Sequence, residues 1–179
     1  FFFRDPDRSF SAPENAVLSP ADGKILPVRE LMAEESPLGD RALRVSIFMT
    51  LFHVHVNRAP VEGIIKKIDY HSGKFFAANL DKASEQNERN RILIEIPGLH
   101  TIAVTQVAGL IARRIACWVK EGDRVKAGQR FGLIRFGSRL DVYLPAGSRV
   151  TAVPGEGARA GRTVIGYLPE KKAQASEGP

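Results

Sequence analysis

Apolar and polar residues alternate with a period of two in Leu43-Arg44-Val45-Ser46-Ile47 and in Ile92-Leu93-Ile94-Glu95-Ile96, the repeat of a strand that turns one face inward. Further short runs of β character cover 24–31, 61–70, 101–107, 111–119, 131–136, 140–144 and 163–168. Turn chemistry separates them at Pro20-Ala21-Asp22-Gly23, Glu121-Gly122-Asp123 and Pro145-Ala146-Gly147. The best helical stretch, 82–90, is short and polar. The pattern predicts a mainly β chain, folded as one domain over 1–179 into a compact two-sheet sandwich or barrel-like body with few short helices. Two internal echoes accompany it. Pro20-Ala21-Asp22-Gly23-Lys24-Ile25 returns as Pro60-Val61-Glu62-Gly63-Ile64-Ile65, and Gly122-Asp123-Arg124-Val125 returns as Gly147-Ser148-Arg149-Val150. The stretch from Val119 to Gln129 has the turn signature of biotinyl/lipoyl-type β-hammerheads. Residues 170–179 are polar and aperiodic and read as a flexible tail.

Composition narrows the picture. Of 179 residues, 44% are hydrophobic and 26% charged, enough apolar mass for a core. Lysine and arginine outnumber aspartate and glutamate by 26 to 20, so the +6 chain favours an anionic partner: a lipid surface, a phosphate ester or a nucleic acid. Nucleic acid fits worst, because there are three Tyr, one Trp and no basic helix or aromatic-basic strand motif. Cys117 stands alone, which excludes an internal disulfide and a cysteine-based zinc site and suits a reducing compartment. No apolar run is long enough to span a bilayer. Phe1-Phe2-Phe3 followed by Arg4-Asp5-Pro6 has two readings, the interfacial end of a membrane segment or a strand docked on the core.

Three segments carry candidate chemistry. In Phe52-His53-Val54-His55-Val56-Asn57-Arg58, alternation places His53, His55 and Asn57 on one strand face. Such a face suits acid–base work or is simply polar. A metal fits poorly, since no Asp, Glu or Cys stands at ligand spacing. Asp22 sits in a Pro/Gly turn, where an Asp ordinarily serves the turn itself. Gly137-Ser138 joins two β runs. It lacks the Gly-x-Ser-x-Gly context of a hydrolase elbow, but glycine admits strained dihedrals, and a serine hydroxyl beside it can attack the preceding carbonyl.

Taken in order, six blocks of the chain resemble the phosphatidylserine decarboxylases in their short bacterial and archaeal form. They are Phe3-Arg4-Asp5-Pro6; Ser19-Pro20-Ala21-Asp22-Gly23; His55-Val56-Asn57-Arg58-Ala59-Pro60; Tyr70-His71-Ser72-Gly73-Lys74-Phe75; Asn87-Glu88-Arg89-Asn90; and Phe136-Gly137-Ser138-Arg139 with Asp141-Val142-Tyr143-Leu144-Pro145. The family also carries hammerhead-like β architecture. The resemblance implies a proenzyme that cleaves itself between Gly137 and Ser138 into 1–137 and 138–179, with Ser138 becoming a pyruvoyl group. That carbonyl would capture the amine of phosphatidylserine as a Schiff base and accept the electrons released with CO2, leaving phosphatidylethanolamine. By the same resemblance Ser138 and Gly137 form the cleavage site, Asp22 orients a histidine, and His55 acts on the substrate. Where longer relatives carry a second histidine, three positions after His55, this chain has Arg58, so His55 and His71 are both eligible as the base for self-cleavage; His53 is a bystander.

The implied setting is the cytoplasmic face of the cell membrane, held peripherally or through a segment before Phe1. The implied partners are the lipid substrate, the membrane surface and the chain's own cleaved fragment; a homo-oligomer stays open. Two alternatives accompany this reading. One is a decarboxylase acting on a related serine ether lipid. The other is a biotinyl/lipoyl-like carrier or adaptor, suggested by Asp81-Lys82-Ala83 but with the hammerhead turn on the wrong side of the lysine.

Overall fold

The computed structural model describes residues 7, 8, 10–50, 52–74, 76–81, 83–110, 114–135 and 137–170, with the side chain of residue 84 left out. Phe1–Phe3, Lys82 and the tail from 171 onward therefore lie outside the described residues. The strands in chain order are β1 (Ala16–Leu18), β2 (Gly23–Ile25), β3 (Arg29–Leu31), β4 (Ala42–Met49), β5 (Val56–Arg58), β6 (Gly63–His71), β7 (Arg89–Glu95), β8 (Thr101–Val107), β9 (Ile115–Cys117), β10 (Arg124–Val125), β11 (Arg130–Ile134), β12 (Ser138–Pro145), β13 (Arg149–Val150), β14 (Gly157–Ala158) and β15 (Val164–Tyr167). A single helical turn, α1, spans Ala83–Gln86.

The mainly β expectation holds, and the described residues form three sheets. A nine-stranded sheet runs β10-β6-β7-β8-β12-β4-β2-β14, with β3 also paired to β4; β1-β15-β13 and β5-β11-β9 form two smaller sheets. Every pairing of these strands is antiparallel. Core-facing Val45, Ile47 and Met49 of β4 pack with Leu140, Val142 and Leu144 of β12, Ile102 and Val104 of β8, and Phe131 and Ile134 of β11 in one apolar cluster.

Two elements depart from the sequence pattern. The run 24–31 breaks into β2 and β3 around Pro27, which has no N–H for a ladder. The helix expected over 82–90 stops at Gln86. There the buried Asn87 side chain takes up backbone groups of Phe76 and Ala108, and from Arg89 the chain pairs with β6 and β8. Tertiary hydrogen bonding outbids local preference at that point.

The first sequence echo is a real structural duplication. The Leu18 N–H donates to the Pro60 carbonyl and the Arg58 N–H to the Pro20 carbonyl, so the two Pro-x-x-Gly turns grip each other. Gly23 and Gly63 abut a neighbouring strand in the same way: a Cβ there would stand 2.3 Å from the Phe48 carbonyl oxygen and 2.5 Å from that of Glu95. The second echo pairs the wrong segments. The counterpart of Gly122–Val125 is Gly155–Ala158, not Gly147–Val150. The Ile65 N–H donates to Asp123 and the Gly122 N–H to Ile65, while the Ile25 N–H donates to Glu156 and the Gly155 N–H to Ile25. Similar letters at 147–150 mark β13, a different place in the fold.

Candidate active site

Ser138 opens β12 opposite Met49, and Leu140 faces Ile47 two residues on. Leu140, Val142 and Leu144 belong to the core, so strand alternation turns Ser138 inward with them. The residue is fully buried, and its hydroxyl has no hydrogen-bond partner among the described residues. A buried hydroxyl without a partner costs about 1–3 kcal/mol. Just before it, Gly137 has φ 63°, a left-handed backbone that any side chain would oppose.

The strands on either side bring a histidine to this junction. β11 ends at Ile134, and β12 begins at Ser138. Antiparallel to it, β4 leads through residues 50–55 into β5. Met49 pairs with Ser138 at one end of this double crossing, and Val56 pairs with Leu133 at the other. His55 follows in register: the Ile134 N–H donates to its carbonyl at 3.3 Å. Its side chain is buried. The strand expected from residue 53 begins only at Val56, because Thr50 folds back on His53, its N–H and hydroxyl both 3.0 Å from Nδ1. His53 therefore ties a turn rather than sharing a strand face with His55.

Asp22 reaches the same end of the sheet by another route. Lys24 of β2 and Arg139 of β12 flank Phe48 from opposite sides. Asp22 thus lies level with Gly137, two strand spacings or about 10 Å away. Its carboxylate accepts from Arg8 Nη1 at 2.5 Å and Nη2 at 2.8 Å, and from the Ala160 N–H at 2.8 Å. The partner found there is arginine, where a histidine was expected.

His71 is not brought to the junction. It pairs with Arg89, Arg89 with Val107 and Val107 with Arg139. That row shares the face of Arg139, opposite to Ser138, and His71 stands three strands or about 14 Å along it. It is exposed.

The structure adds residues that sequence reasoning passed over. Gln106 faces Leu140 from β8; its Nε2 donates to Asn57 Oδ1 at 2.9 Å, and Asn90 donates to its Oε1 at 3.0 Å. Asn57 in turn reaches the sulfur of Met49 at 3.8 Å. This buried amide network borders the core beside Ser138. The signal was present in the sequence: the inward positions of 102–106 read Ile, Val, Gln, with a polar residue where alternation calls for an apolar one. On the other face Arg139 and Asp141 are buried together. Arg139 Nε lies 2.8 Å from Asp141 Oδ1, and Ser46 donates to the same oxygen at 2.6 Å. Arg139 Nη1 also donates to the carbonyls of Ala78 and Leu80. Burial, and then the Asp141 carboxylate, pushes the neighbouring Tyr143 hydroxyl up to about 12, as expected of a face that water does not enter. Among the described residues no group of three His, Cys, Asp or Glu is placed to hold a metal.

A left-handed glycine and a buried serine, at a junction whose neighbouring strand carries the buried His55, suit attack of a hydroxyl on its own backbone. Comparison with known proteins gives the family. The family model described as phosphatidylserine decarboxylase matches residues 1–166. The phosphatidylserine decarboxylase proenzyme of Magnetococcus marinus is 51% identical over 174 residues, which cover 97% of this chain and 79% of that protein. Proteins of the same name from Burkholderia pseudomallei and Syntrophus aciditrophicus are 49% and 50% identical, over 95% and 93% of this chain and 78% of each relative.

Proposed function

The chain belongs to the phosphatidylserine decarboxylase family, and we infer from that premise that it removes CO2 from the head group of phosphatidylserine after cutting itself between Gly137 and Ser138. What supports the reading most is the state of Ser138: fully buried, its hydroxyl without a hydrogen-bond partner among the described residues, directly after a glycine at φ 63°.

In this reading the Ser138 Oγ attacks the Gly137 carbonyl carbon. The C–N bond to residue 138 breaks, the amide becomes an ester, and the amine takes the proton lost by the hydroxyl. Removal of the Ser138 α-proton then expels Gly137 as a carboxylate and leaves a dehydroalanine. Water replaces its nitrogen as ammonia, and residue 138 becomes a pyruvoyl group. That group supplies the electrophilic carbonyl and electron sink that the decarboxylation needs. The chain's own residues do the rest. His55, buried beside the junction, accepts the hydroxyl proton during cleavage and returns a proton to the substrate carbon later. Asn57, Gln106 and Asn90 hold a fixed polar wall, and β12 keeps the new chain end between β4 and β8. The Asp22 carboxylate and Arg8 hold the turn that closes this end of the sheet.

The experiment is direct. Purified protein given phosphatidylserine in mixed micelles should release CO2 and phosphatidylethanolamine in equal amounts. Under denaturing conditions it should run as 1–137 and 138–179, the smaller fragment blocked to Edman sequencing. Turnover by a chain that stays whole would remove the reading.

A lipid substrate also calls for contact with a membrane. Phe52 and Leu110 are 70% and 64% exposed; Phe52 is three residues past Met49, and Leu110 is one past Gly109, whose backbone lies against the Gly137 carbonyl, so both stand at the rim of the junction. Phe1–Phe3 are further candidates. Apolar insertion contributes about 25 cal/mol per Å², and a basic side chain near anionic lipid about 1 kcal/mol. Reversible adsorption follows. Co-sedimentation with vesicles should require anionic lipid, weaken with salt and fall several-fold in Phe52→Ser/Leu110→Ser. Binding that ignores both changes would place the contact elsewhere.

A further inference from the structure

The carbonyl that Ser138 would attack is seated against a backbone with no side chain. A Cβ on Gly109 would stand 1.6 Å from the Gly137 oxygen and 2.7 Å from its carbonyl carbon, far inside van der Waals contact. Its φ is not in the left-handed region, so conformation alone does not require glycine at 109. Proximity to that oxygen does.

The seat is held from behind. Asn87 is fully buried; its Nδ2 donates to the Ala108 carbonyl at 2.7 Å and to the Phe76 carbonyl at 2.8 Å, while its Oδ1 accepts from the Phe76 N–H at 3.0 Å. One amide thus pins the residue before Gly109 to the segment that begins at Phe76. Arg139, next to Ser138 in sequence, donates to the Ala78 carbonyl, and the Ala78 Cβ lies 3.3 Å from where a Gly109 side chain would begin. Gly109, Ala78 and their two clamps make a wall, and the Gly137 carbonyl rests on it.

We propose that Gly109, fixed by Asn87, is a positioning site for self-cleavage: it presses the Gly137 carbonyl into the orientation in which its carbon meets Ser138 Oγ. This deepens the self-cleavage reading above and rests on it. A methyl group at 109 displaces the oxygen by more than an ångström, and misplacement of that size costs a reaction about 100-fold. The clash is with the Gly137 backbone itself, so the damage should fall on cleavage, and folding is read separately.

The test follows conversion of freshly made precursor, with and without hydroxylamine. Hydroxylamine intercepts the ester: its nitrogen bonds to the Gly137 carbonyl, the ester C–O bond breaks, and Ser138 regains its hydroxyl with a free amine. Gly109→Ala should form both the trapped hydroxamate and the natural fragments about 100-fold more slowly than the unaltered chain. Asn87→Asp, which removes both donated bonds but keeps the acceptor, should slow them by about tenfold. Gly157→Ala, at a glycine with open space around it and no left-handed backbone, should match the unaltered chain. Folding is judged in the uncleavable background, where Gly109→Ala/Ser138→Ala should melt within about 5 °C of Ser138→Ala. Cleavage of Gly109→Ala at the ordinary rate would overturn the seat and leave the self-cleavage reading standing. So would slow cleavage together with a much lower melting point, which makes the glycine structural. An unaltered chain that gives neither fragments nor hydroxamate would overturn self-cleavage, and the seat with it.

Discussion

Replacing Ser138 with alanine should leave one intact chain of about 19.7 kDa and reduce decarboxylation to background. The residue would supply both the nucleophile and the atoms of the prosthetic group, so no partial activity is expected from neighbouring groups. Stability should change little or rise, because the substitution deletes a buried hydroxyl with no hydrogen-bond partner among the described residues. Mass spectrometry makes the chemistry specific. Fragments of the active protein should together weigh one water more and one ammonia less than the precursor. Simple hydrolysis between Gly137 and Ser138 would add a whole water and leave an amino terminus on the smaller fragment. A Ser138→Ala protein that is still cut, or still active, would end the assignment of this residue.

His55→Ala should slow both precursor cleavage and turnover, each by about 10²–10⁴-fold, the usual cost of losing a positioned acid–base group. His71→Ala should leave both within about twofold, because His71 stands three strands away on the other face of the sheet. Measuring the two rates separately is what makes the result useful. A His55→Ala chain that cleaves normally and turns over poorly would keep the substrate role and take the cleavage role away. Loss of cleavage in His71→Ala would overturn the assignment built on the sheet register.

Much of this could be read before any coordinates. Alternation in 43–47 and 92–96 marks two strands of the large sheet, since a half-buried strand must place apolar side chains at every second position. The Gly137-Ser138 step, Asp22 and His55 stand out because each is a reactive or turn-forming residue within a recognisable block. The first Pro-x-x-Gly echo announced a duplicated turn. These are local properties, carried by residue type and short spacing.

Other features depend on contacts between residues far apart in sequence. Whether His55 or His71 serves the junction follows from strand order and register, and antiparallel pairing can place a conspicuous histidine on either face. Asn87 ends a helix that its neighbours favour because Ala108 and Phe76 offer it three hydrogen bonds. Gly109 has no signature at all, since its importance is a close approach by a carbonyl 28 positions along the chain. Arg8 sits on Asp22 across 14 residues, where motif logic expected a histidine. A mainly β chain, the family resemblance and the residue types on which the chemistry draws are all legible along the chain, because hydrophobic period and reactive side chains are local. The fold buries His55, leaves His71 exposed and sets the Gly109 backbone against the Gly137 carbonyl, and none of this is legible locally, because burial and close packing depend on whichever distant segments fill the same space.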